Sequence, residues 1–152
     1  MSLDLSPDKR FAYTVGADHY LSKYRVFDLN DDEAALPRLH QEATPSPGKS
    51  AVAVREDGKL VGTAGWDGEI RLSSARTLSP LAVLSHHRLS LQALAFAPLS
   101  STPPSLSSLL PHEQQDDDSD DEDEESGRAW LAAAGQEGKI SLWEVYPPKR
   151  SV

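Results

Sequence analysis

The histidines, carboxylates and hydroxyl groups of this sequence are the side chains that could do chemistry, and a catalytic histidine is the first candidate. His86 and His87 stand next to each other. A histidine that activates a nucleophile needs that nucleophile, or a carboxylate partner, at a suitable spacing. The sequence offers no such partner for His87. Neighbouring side chains on a strand point to opposite faces, so the pair is also a poor metal site.

Composition and motifs exclude several other kinds of chemistry. The chain has no cysteine, which excludes thiol catalysis, disulfides and cysteine-built zinc sites. It also has no glycine-rich phosphate loop and no nucleotide-binding fingerprint. We therefore predict a protein that is not an enzyme and needs neither a cofactor nor a metal.

The charge of the chain is concentrated in one segment. The 152 residues include 24 acidic and 15 basic side chains, a formal net charge of −9. Nine of the carboxylates lie in residues 116–125, DDDSDDEDEE. Like charges repel one another and bury no apolar surface, and the preceding residues 100–115 are rich in serine and proline. The sequence therefore predicts a disordered insert over residues 101–128.

Two interpretations of this insert stay open. It is either a solubilising loop or an acidic arm that binds basic proteins, such as histones, through residues 116–125. Ser119 is followed by three acidic residues and is a candidate phosphosite. A phosphate there would add to a repulsive block, so we expect it to act on partner binding rather than on folding.

The remaining composition points to protein partners in an intracellular setting. The acidic balance argues against direct binding to nucleic acid, which needs clustered lysine and arginine. No apolar run approaches the ~18–20 residues of a membrane helix. The start of the chain, MSLDLSPDKR, lacks the pattern of a secretory signal. We expect no membrane partner.

The chain also contains an internal repeat that the insert interrupts. Ser50–Asp57 aligns with Gln92–Leu99 at an offset of 42, and Leu60–Leu72 aligns with Trp130–Leu142 at an offset of 70. The difference of 28 residues equals the length of the predicted insert. Two independent observations therefore place the same interruption.

A third copy lies at the start of the chain. Thr14 and Asp18 match Thr63 and Asp67 at an offset of 49. After three extra residues in the turn, Tyr24–Val26 are expected to match Ile70–Leu72. Each copy is an alternating run, a Gly/Asp turn and a second alternating run, as in antiparallel strands. Four strands in ~40–45 residues are typical of a propeller blade.

The stretches DGKLVGTAGWDGEIRL and GQEGKISLWEVYP resemble WD-repeat blades. Residues 50–98 and 129–148 are similar to the carboxy-terminal end of the ASTRA-associated protein family, whose animal counterpart is a G-protein beta-subunit-like protein. The similar motifs are GTAGWDG, PLAVL and ISLWEVYP. The resemblance to a G-protein beta subunit implies no nucleotide site, because nucleotide binding belongs to a different subunit.

The resemblance implies an all-β WD-repeat β-propeller, and we expect this chain to hold about three blades of a seven-bladed propeller. The predicted units are 1–49 (first partial blade and connecting segment), 50–85 (second blade), 86–148 (third blade, lacking its last strand and interrupted by 101–128) and 149–152 (tail). Propellers close with 4–8 blades. We therefore expect a carboxy-terminal portion of a longer protein, explained by a fragment or a truncated gene model, with open edges that favour aggregation.

WD-repeat blades share a hydrogen-bonded set made of a turn aspartate, a strand hydroxyl, a loop histidine and a strand tryptophan. The resemblance assigns structural roles of this kind to Thr14, Asp18, Thr63, Asp67, His87 and Trp143. No blade is expected to hold a full set. Ala133 and Glu137 replace the hydroxyl and the aspartate of the last blade, while Ser73 and Phe27 take the tryptophan position of the other two. We expect Asp67 to bond nearby turn amides and Thr63.

Trp66 is the candidate contact with a partner. It lies in a turn that opens on the top face of a propeller, whereas the acidic insert falls on the bottom face. Trp66 is either an interface anchor or a side chain that packs over the neighbouring blade. The sequence leaves both interpretations open.

The resemblance implies a non-catalytic scaffold in the ASTRA complex, linked to chromatin remodelling and to co-chaperoning of phosphatidylinositol-3-kinase-related kinases. It implies a nuclear location with a cytosolic pool. One alternative is a generic WD-repeat adaptor, such as a substrate receptor for ubiquitin ligation. Another is a histone-binding module that uses the acidic insert, and an enzyme is the last alternative.

Overall fold

The computed structural model describes residues 1–26, 37–99 and 129–145. The predicted insert, the tail, Ser119 and Phe27 all lie outside these described residues.

The described residues form antiparallel strands and no helix. The strands are β1 (Ser2–Leu5), β2 (Phe11–Val15), β3 (Tyr20–Arg25), β4 (Arg38–Ala43), β5 (Lys49–Val54), β6 (Leu60–Gly65), β7 (Glu69–Ser74), β8 (Pro80–Ser85), β9 (Leu91–Phe96), β10 (Trp130–Gly135) and β11 (Ile140–Glu144). Consecutive strands pair to give a first sheet (β1–β4), a second sheet (β5–β8) and a third sheet (β9–β11). The predicted all-β class is thus confirmed, and the described ranges offer no helix suited to crossing a membrane.

The first sheet has four strands, whereas a partial blade was expected for residues 1–49. The strand that sequence reasoning missed is β4, which lies in the expected connecting segment. Its side chains are all exposed or half-buried, and it pairs with β3 from Tyr20 opposite Ala43 to Tyr24 opposite Arg38. A strand without a buried face lacks the apolar alternation by which strands are recognised from sequence.

Alternating side chains give each sheet two faces that pack on its neighbours. The front face carries Val52 and Val54 in the second sheet, and the back face carries Ile70 and Leu72. The back face of the first sheet and the front face of the second enclose one core, made of Phe11, Tyr13, Val15, Leu21, Val52, Val54, Val61, Ala75 and Leu78. The back face of the second sheet meets the front face of the third in a second core, which includes Ile70, Leu72, Leu94, Phe96 and Leu131. The three sheets therefore stack front to back, like blades.

The register of the first sheet corrects one detail of the repeat. Thr14 lies opposite Ser22, as Thr63 lies opposite Arg71, so both turns have the same length. The expected three extra residues, and with them the assignment of Phe27, are wrong. The position of the blade tryptophan in the first sheet belongs to Tyr24, which lies opposite Ala12.

The buried Lys23 explains why the repeat alignment placed three extra residues in the first turn. Lys23 takes the place of Leu72 in the first sheet and lies under the second sheet. Its Nζ lies 4.2 Å from the centre of the Phe11 ring and donates to the carbonyl oxygens of Ala75 (2.9 Å) and Arg76 (3.3 Å). A long stem lets lysine fill an apolar position while its ammonium group finds polar partners. An alignment of apolar residues does not recognise a lysine at such a position.

Leu72 provides a test of the stacked cores. We expect Leu72→Ala to lower the free energy of unfolding by about 2–5 kcal/mol, because it empties a fully buried position between two sheets. Leu39→Ala, at an exposed position of β4, is the matched control and should change the stability by less than about 0.5 kcal/mol. Urea unfolding followed by tryptophan fluorescence measures both, and equal effects would contradict the stacked arrangement.

Candidate functional site

A chain of hydrogen bonds links four side chains of the third sheet. Trp143 Nε1 donates to Ser141 Oγ at 3.0 Å, Ser141 Oγ lies 2.8 Å from His87 Nε2, and His87 Nδ1 lies 2.9 Å from Glu137 Oε1. An indole N–H only donates and an ionised carboxylate only accepts. The chain therefore begins at a donor, Trp143, and ends at an acceptor, Glu137; with a neutral His87 ring, Ser141 donates to Nε2 and Nδ1 donates to Glu137.

Three parts of the sheet position this chain. His87 lies in the loop between β8 and β9, Glu137 lies in the turn between β10 and β11, and Ser141 and Trp143 are two residues apart on one face of β11. The His87 side chain is fully buried. A hydrogen bond from its own backbone amide lowers the pKa of Glu137, desolvation raises it, and bonds from His87 and Arg88 lower it further, with a net lowering. The carboxylate is thus held in its charged form.

The third sheet therefore holds a complete set, although none was expected. Ala133 supplies no hydroxyl, as the sequence indicated, but Ser141 lies directly opposite Ala133 on the neighbouring strand and supplies it instead. The signal in the sequence is a serine two residues before the tryptophan, because side chains at that spacing share a strand face.

The order Glu137–His87–Ser141 resembles a carboxylate, base and nucleophile, which the sequence analysis did not find. Burial argues against that use. Ser141 is buried, and its oxygen already accepts the indole N–H of Trp143. A substrate would have to displace the stacked sheet to reach this oxygen, so the geometry supports a structural role.

The second sheet replaces this chain with charged groups. Arg71 donates to Asp67 Oδ1 (3.1 Å) and Oδ2 (2.6 Å), and the amide of Glu69 donates to Asp67 Oδ1 at 3.2 Å. The expected hydrogen bond from a turn amide to Asp67 is therefore present. No hydrogen bond between Thr63 and Asp67 occurs in the described part of the chain. Desolvation is the largest influence on Asp67 and raises its pKa, but the hydrogen bonds from Arg71, Glu69 and Ser46 and the charge of Arg71 together leave the pKa below its usual value.

A second buried cation accompanies this pair. Lys49 is fully buried at the start of β5, and its Nζ donates to the carbonyl oxygen of Ser46 at 3.3 Å. Desolvation and the positive charge of Arg71 lower the pKa of Lys49, while Asp18 and Asp67 act in the opposite direction. At the turn end of the second sheet, meaning the turn between β6 and β7, opposite charges therefore take the place of a histidine.

The first sheet brings its two predicted residues into simpler surroundings. Asp18 is exposed and accepts a hydrogen bond from the amide of Tyr20 at 3.3 Å. Thr14 is half-buried on the front face, opposite Leu3 and Ser22. Neither residue joins a histidine or a tryptophan in the described ranges, so their role is limited to the local turn and strand pairing.

Trp66 packs on neighbouring residues with one side of its ring and is exposed to solvent on the other, so both of its expected environments are present. One side of its ring covers Gly48, in the connection between the first and second sheets, and its amide donates to the carbonyl of Gly48 at 3.0 Å. Its own carbonyl accepts a hydrogen bond from Ser90 at 2.9 Å. The side chain nevertheless stays 50% exposed, and Leu89 in the adjoining loop is also exposed. Trp66 is thus a fixed aromatic group with one open side.

An open cavity between the first and second sheets is a candidate ligand site. Its volume is about 380 Å³, and Lys23, Phe11 and Asp8 are among the residues that line it. The carbonyl oxygens of Ala75 and Arg76, two residues that line the cavity, already accept hydrogen bonds from the Lys23 ammonium group. Asp8 is likewise occupied by Ser6 and by the amide of Arg10. The described residues contain no group of three or more His, Asp or Glu side chains suited to a metal ion.

Antiparallel sheets stacked front to back, with a Glu–His–Ser–Trp chain of hydrogen bonds in the third sheet, are the features of a WD-repeat fold. A solved structure agrees with this class. The crystal structure of the RRP9 WD40 repeats matches 95% of this chain and 34% of that chain with a TM-score of 0.66, at 17% sequence identity. At that identity the likeness concerns the fold alone.

Three curated proteins show which sequences this chain is similar to. ASTRA-associated protein 1 of Aspergillus niger is 30% identical over 96% of this chain and 39% of its own length. The same protein of Verticillium alfalfae is 29% identical, over 96% and 38%. The guanine nucleotide-binding protein subunit beta-like protein 1 of Mus musculus is 29% identical, over 97% and 35%. The chain is therefore similar to ASTRA-associated protein 1 over almost its whole length, as the resemblance in its sequence predicted.

The chain spans somewhat more than a third of the length of these relatives. No protein-family model matches it.

Ser141 is the centre of the hydrogen-bond chain, so its removal is the most direct test. We expect Ser141→Ala to lower the free energy of unfolding by about 1–3 kcal/mol, because it leaves the indole N–H of Trp143 and a ring nitrogen of His87 without their partner. Ser85→Ala, at an exposed position of β8, is the control and should be close to neutral. Urea unfolding measures both, and a neutral Ser141→Ala would refute the role of the network.

Gly48 and Gly138 form a matched pair that tests the seating of Trp66. Their φ angles are +76° and +74°, so alanine costs about 1–2 kcal/mol of backbone strain at either position. A Cβ at Gly48 would also collide with the Trp66 ring, whereas Gly138 has open space around it. We expect Gly48→Ala to cost at least about 1 kcal/mol more than Gly138→Ala and to shift the tryptophan fluorescence. Equal costs would show that the ring does not rest on Gly48.

Proposed function

We propose that this chain is a non-catalytic WD-repeat scaffold that contributes to an ASTRA-type complex. The observation that carries the proposal is the end-to-end similarity to ASTRA-associated protein 1, which extends over 96% of this chain in the Aspergillus niger relative. The name of these relatives links them to the ASTRA assembly, and a scaffold needs a rigid binding surface rather than a reactive group.

The structure supports scaffolding through its turn end. Two stacked cores fix the strands, and hydrogen bonds to Gly48 and Ser90 fix the backbone of Trp66. A half-exposed tryptophan on a fixed backbone loses little conformational entropy on binding and offers a large apolar area. The open side of Trp66, with Leu89 beside it, is the proposed contact with a partner subunit.

The cellular role follows from the family resemblance. We propose a part in chromatin remodelling and in co-chaperoning of phosphatidylinositol-3-kinase-related kinases, in the nucleus and in a cytosolic pool. The absence of an enzymatic activity belongs to the same proposal and is supported by the burial of Ser141 and His87. No direct contact with nucleic acid or with membranes is proposed.

A second candidate function uses the acidic segment. Nine carboxylates within residues 116–125 would attract basic proteins such as histones, and such binding would weaken with salt. A generic WD-repeat adaptor, for example a substrate receptor for ubiquitin ligation, is the other alternative. These candidates predict different partners from the ASTRA subunits, so one experiment separates them.

Affinity purification of the tagged chain at moderate salt tests the proposal. We expect ASTRA subunits or kinase co-chaperones to be recovered equally with the wild type and with a variant that lacks residues 113–125. Trp66→Ala should lower that recovery about tenfold or more, the size of effect expected for an interface anchor. Val83→Ala, at an equally exposed apolar position of β8, is the control and should change nothing.

Each alternative has its own outcome in this experiment. Recovery of histones that depends on residues 113–125 and falls with salt would replace the scaffold proposal by the acidic-arm function. Recovery of ubiquitin-ligase subunits would identify a generic adaptor. Partner recovery that Trp66→Ala leaves intact would remove Trp66 from the binding surface.

A further inference from the structure

The connection between the first and second sheets contains two hydroxyl residues that each precede a proline. Its sequence over residues 44–48 is TPSPG, so Thr44 precedes Pro45 and Ser46 precedes Pro47. A serine or threonine followed by proline is the sequence that proline-directed protein kinases recognise. The connection lies between the end of β4 and the start of β5, so neither hydroxyl residue belongs to a paired strand.

The other hydroxyl residues that precede a proline in the described ranges are less suited to a kinase than Ser46. Ser6 is buried, and its hydroxyl group is bonded within the β1–β2 turn. The Thr44 hydroxyl donates to a carbonyl oxygen of the β2–β3 turn at 2.8 Å. Ser79 is exposed, but Leu78 before it is fully buried, and a kinase binds its substrate as an extended segment. Ser46 is half-buried between two exposed prolines, so a local opening of the connection exposes it.

Charged side chains surround Ser46. Lys49 Nζ donates to the Ser46 carbonyl oxygen at 3.3 Å, and the Ser46 hydroxyl group forms a hydrogen bond with Asp67. Asp67 also forms an ion pair with Arg71. A phosphate group adds about −1.5 to −2 charges at pH 7 and accepts hydrogen bonds. A phosphate on Ser46 would therefore repel the Asp67 carboxylate, to which the hydroxyl group now donates.

The same connection supports Trp66. The Trp66 ring covers Gly48, two residues after Ser46, and the Trp66 amide donates to the Gly48 carbonyl oxygen at 3.0 Å. Asp67 directly follows Trp66 in the β6–β7 turn. Repulsion between a phosphate on Ser46 and Asp67 would therefore separate the two segments that the Trp66 ring joins.

We propose that Ser46 is a phosphorylation site for a proline-directed protein kinase, and that its phosphate displaces the Trp66 ring from Gly48. The kinase transfers the terminal phosphoryl group of ATP to Ser46 Oγ. The bond from that phosphorus to the bridging oxygen breaks, the bond to Oγ forms, ADP leaves, and the hydroxyl proton passes to a base of the kinase. Some of these kinases also favour a basic residue three positions on, but Lys49 is buried there, so recognition depends on Pro47. The effect on partner binding rests on the proposed function, whereas the modification itself does not.

Phosphate incorporation tests the site directly. The folded chain, checked by far-UV circular dichroism, is incubated with Mg-ATP and either a cyclin-dependent kinase or a mitogen-activated protein kinase, and phosphopeptides are identified by mass spectrometry. We expect phosphate at Ser46, its loss in Ser46→Ala, and its retention in Ser46→Thr, which keeps a hydroxyl group before the proline. Ser79→Ala, at an exposed serine that also precedes a proline, is the matched control and should leave the modification of Ser46 unaltered. No phosphate at Ser46 with either kinase would overturn the proposal.

Tryptophan fluorescence tests the link to Trp66. Phosphorylation should shift the emission to longer wavelength, because the ring loses its contact with Gly48 and becomes more exposed to water. The shift should be absent in Trp66→Phe, which retains Trp130 and Trp143. Ser46→Ala treated with the kinase should keep the emission of the unmodified wild type. Unaltered emission from the fully phosphorylated protein would overturn the link between the two residues.

Affinity purification separates this proposal from the proposed function. The chain phosphorylated at Ser46 should recover fewer partner subunits than the unmodified chain, and its recovery should approach that of Trp66→Ala. A phosphate that shifts the Trp66 emission and leaves the recovery unaltered would show that the partner does not contact Trp66. The proposed contact would then fail, while the modification site and its effect on Trp66 would stand.

Discussion

The contact between the back face of one sheet and the front face of the next is the interaction on which the whole structure depends. A single antiparallel sheet of short strands has too little apolar surface to be stable by itself. Here the second sheet is apolar on both faces, with Val52 and Val61 on one side and Ile70 and Leu72 on the other. It can therefore lie between two neighbours and stabilise both. The strand alternation that gives each sheet two faces is also what sets the repeat of the chain.

The polar groups at the turn end adapt to that stacking rather than drive it. One register position on the third strand of each sheet holds Ser141, Arg71 or Ser22. Ser141 receives the indole N–H of Trp143 and contacts His87, whereas Arg71 forms an ion pair with Asp67. Both arrangements give partners to the groups at this position, as buried polar atoms require, although Glu137 Oε2 is buried without a hydrogen-bond partner among the described residues. The stack thus tolerates different chemistry at this position.

The class of the fold and most of its strands were predictable, because they depend on period-two alternation and on Gly/Asp turns that recur at fixed offsets. Three features were not. The strand β4 has no buried face and therefore shows no apolar period, Lys23 fills an apolar position with a charged side chain, and Ser141 acts from the strand opposite the position where a hydroxyl was expected. Each depends on which residues lie opposite one another across strands. A repeat alignment compares residues along the chain and does not contain that information.

The separation of two kinds of surface fits the proposed scaffold function. Stacking uses side chains that project from the sheet faces, whereas the turn end is held by backbone and polar contacts, such as those that fix Trp66 to Gly48 and Ser90. A substitution on the open side of Trp66 therefore leaves the stacked cores unaltered, and the binding surface is free to change without loss of the fold. The exposed back face of the third sheet follows the opposite rule. Ile140 and Leu142 repeat the pattern of buried residues, so a change there alters the surface on which a further sheet would rest.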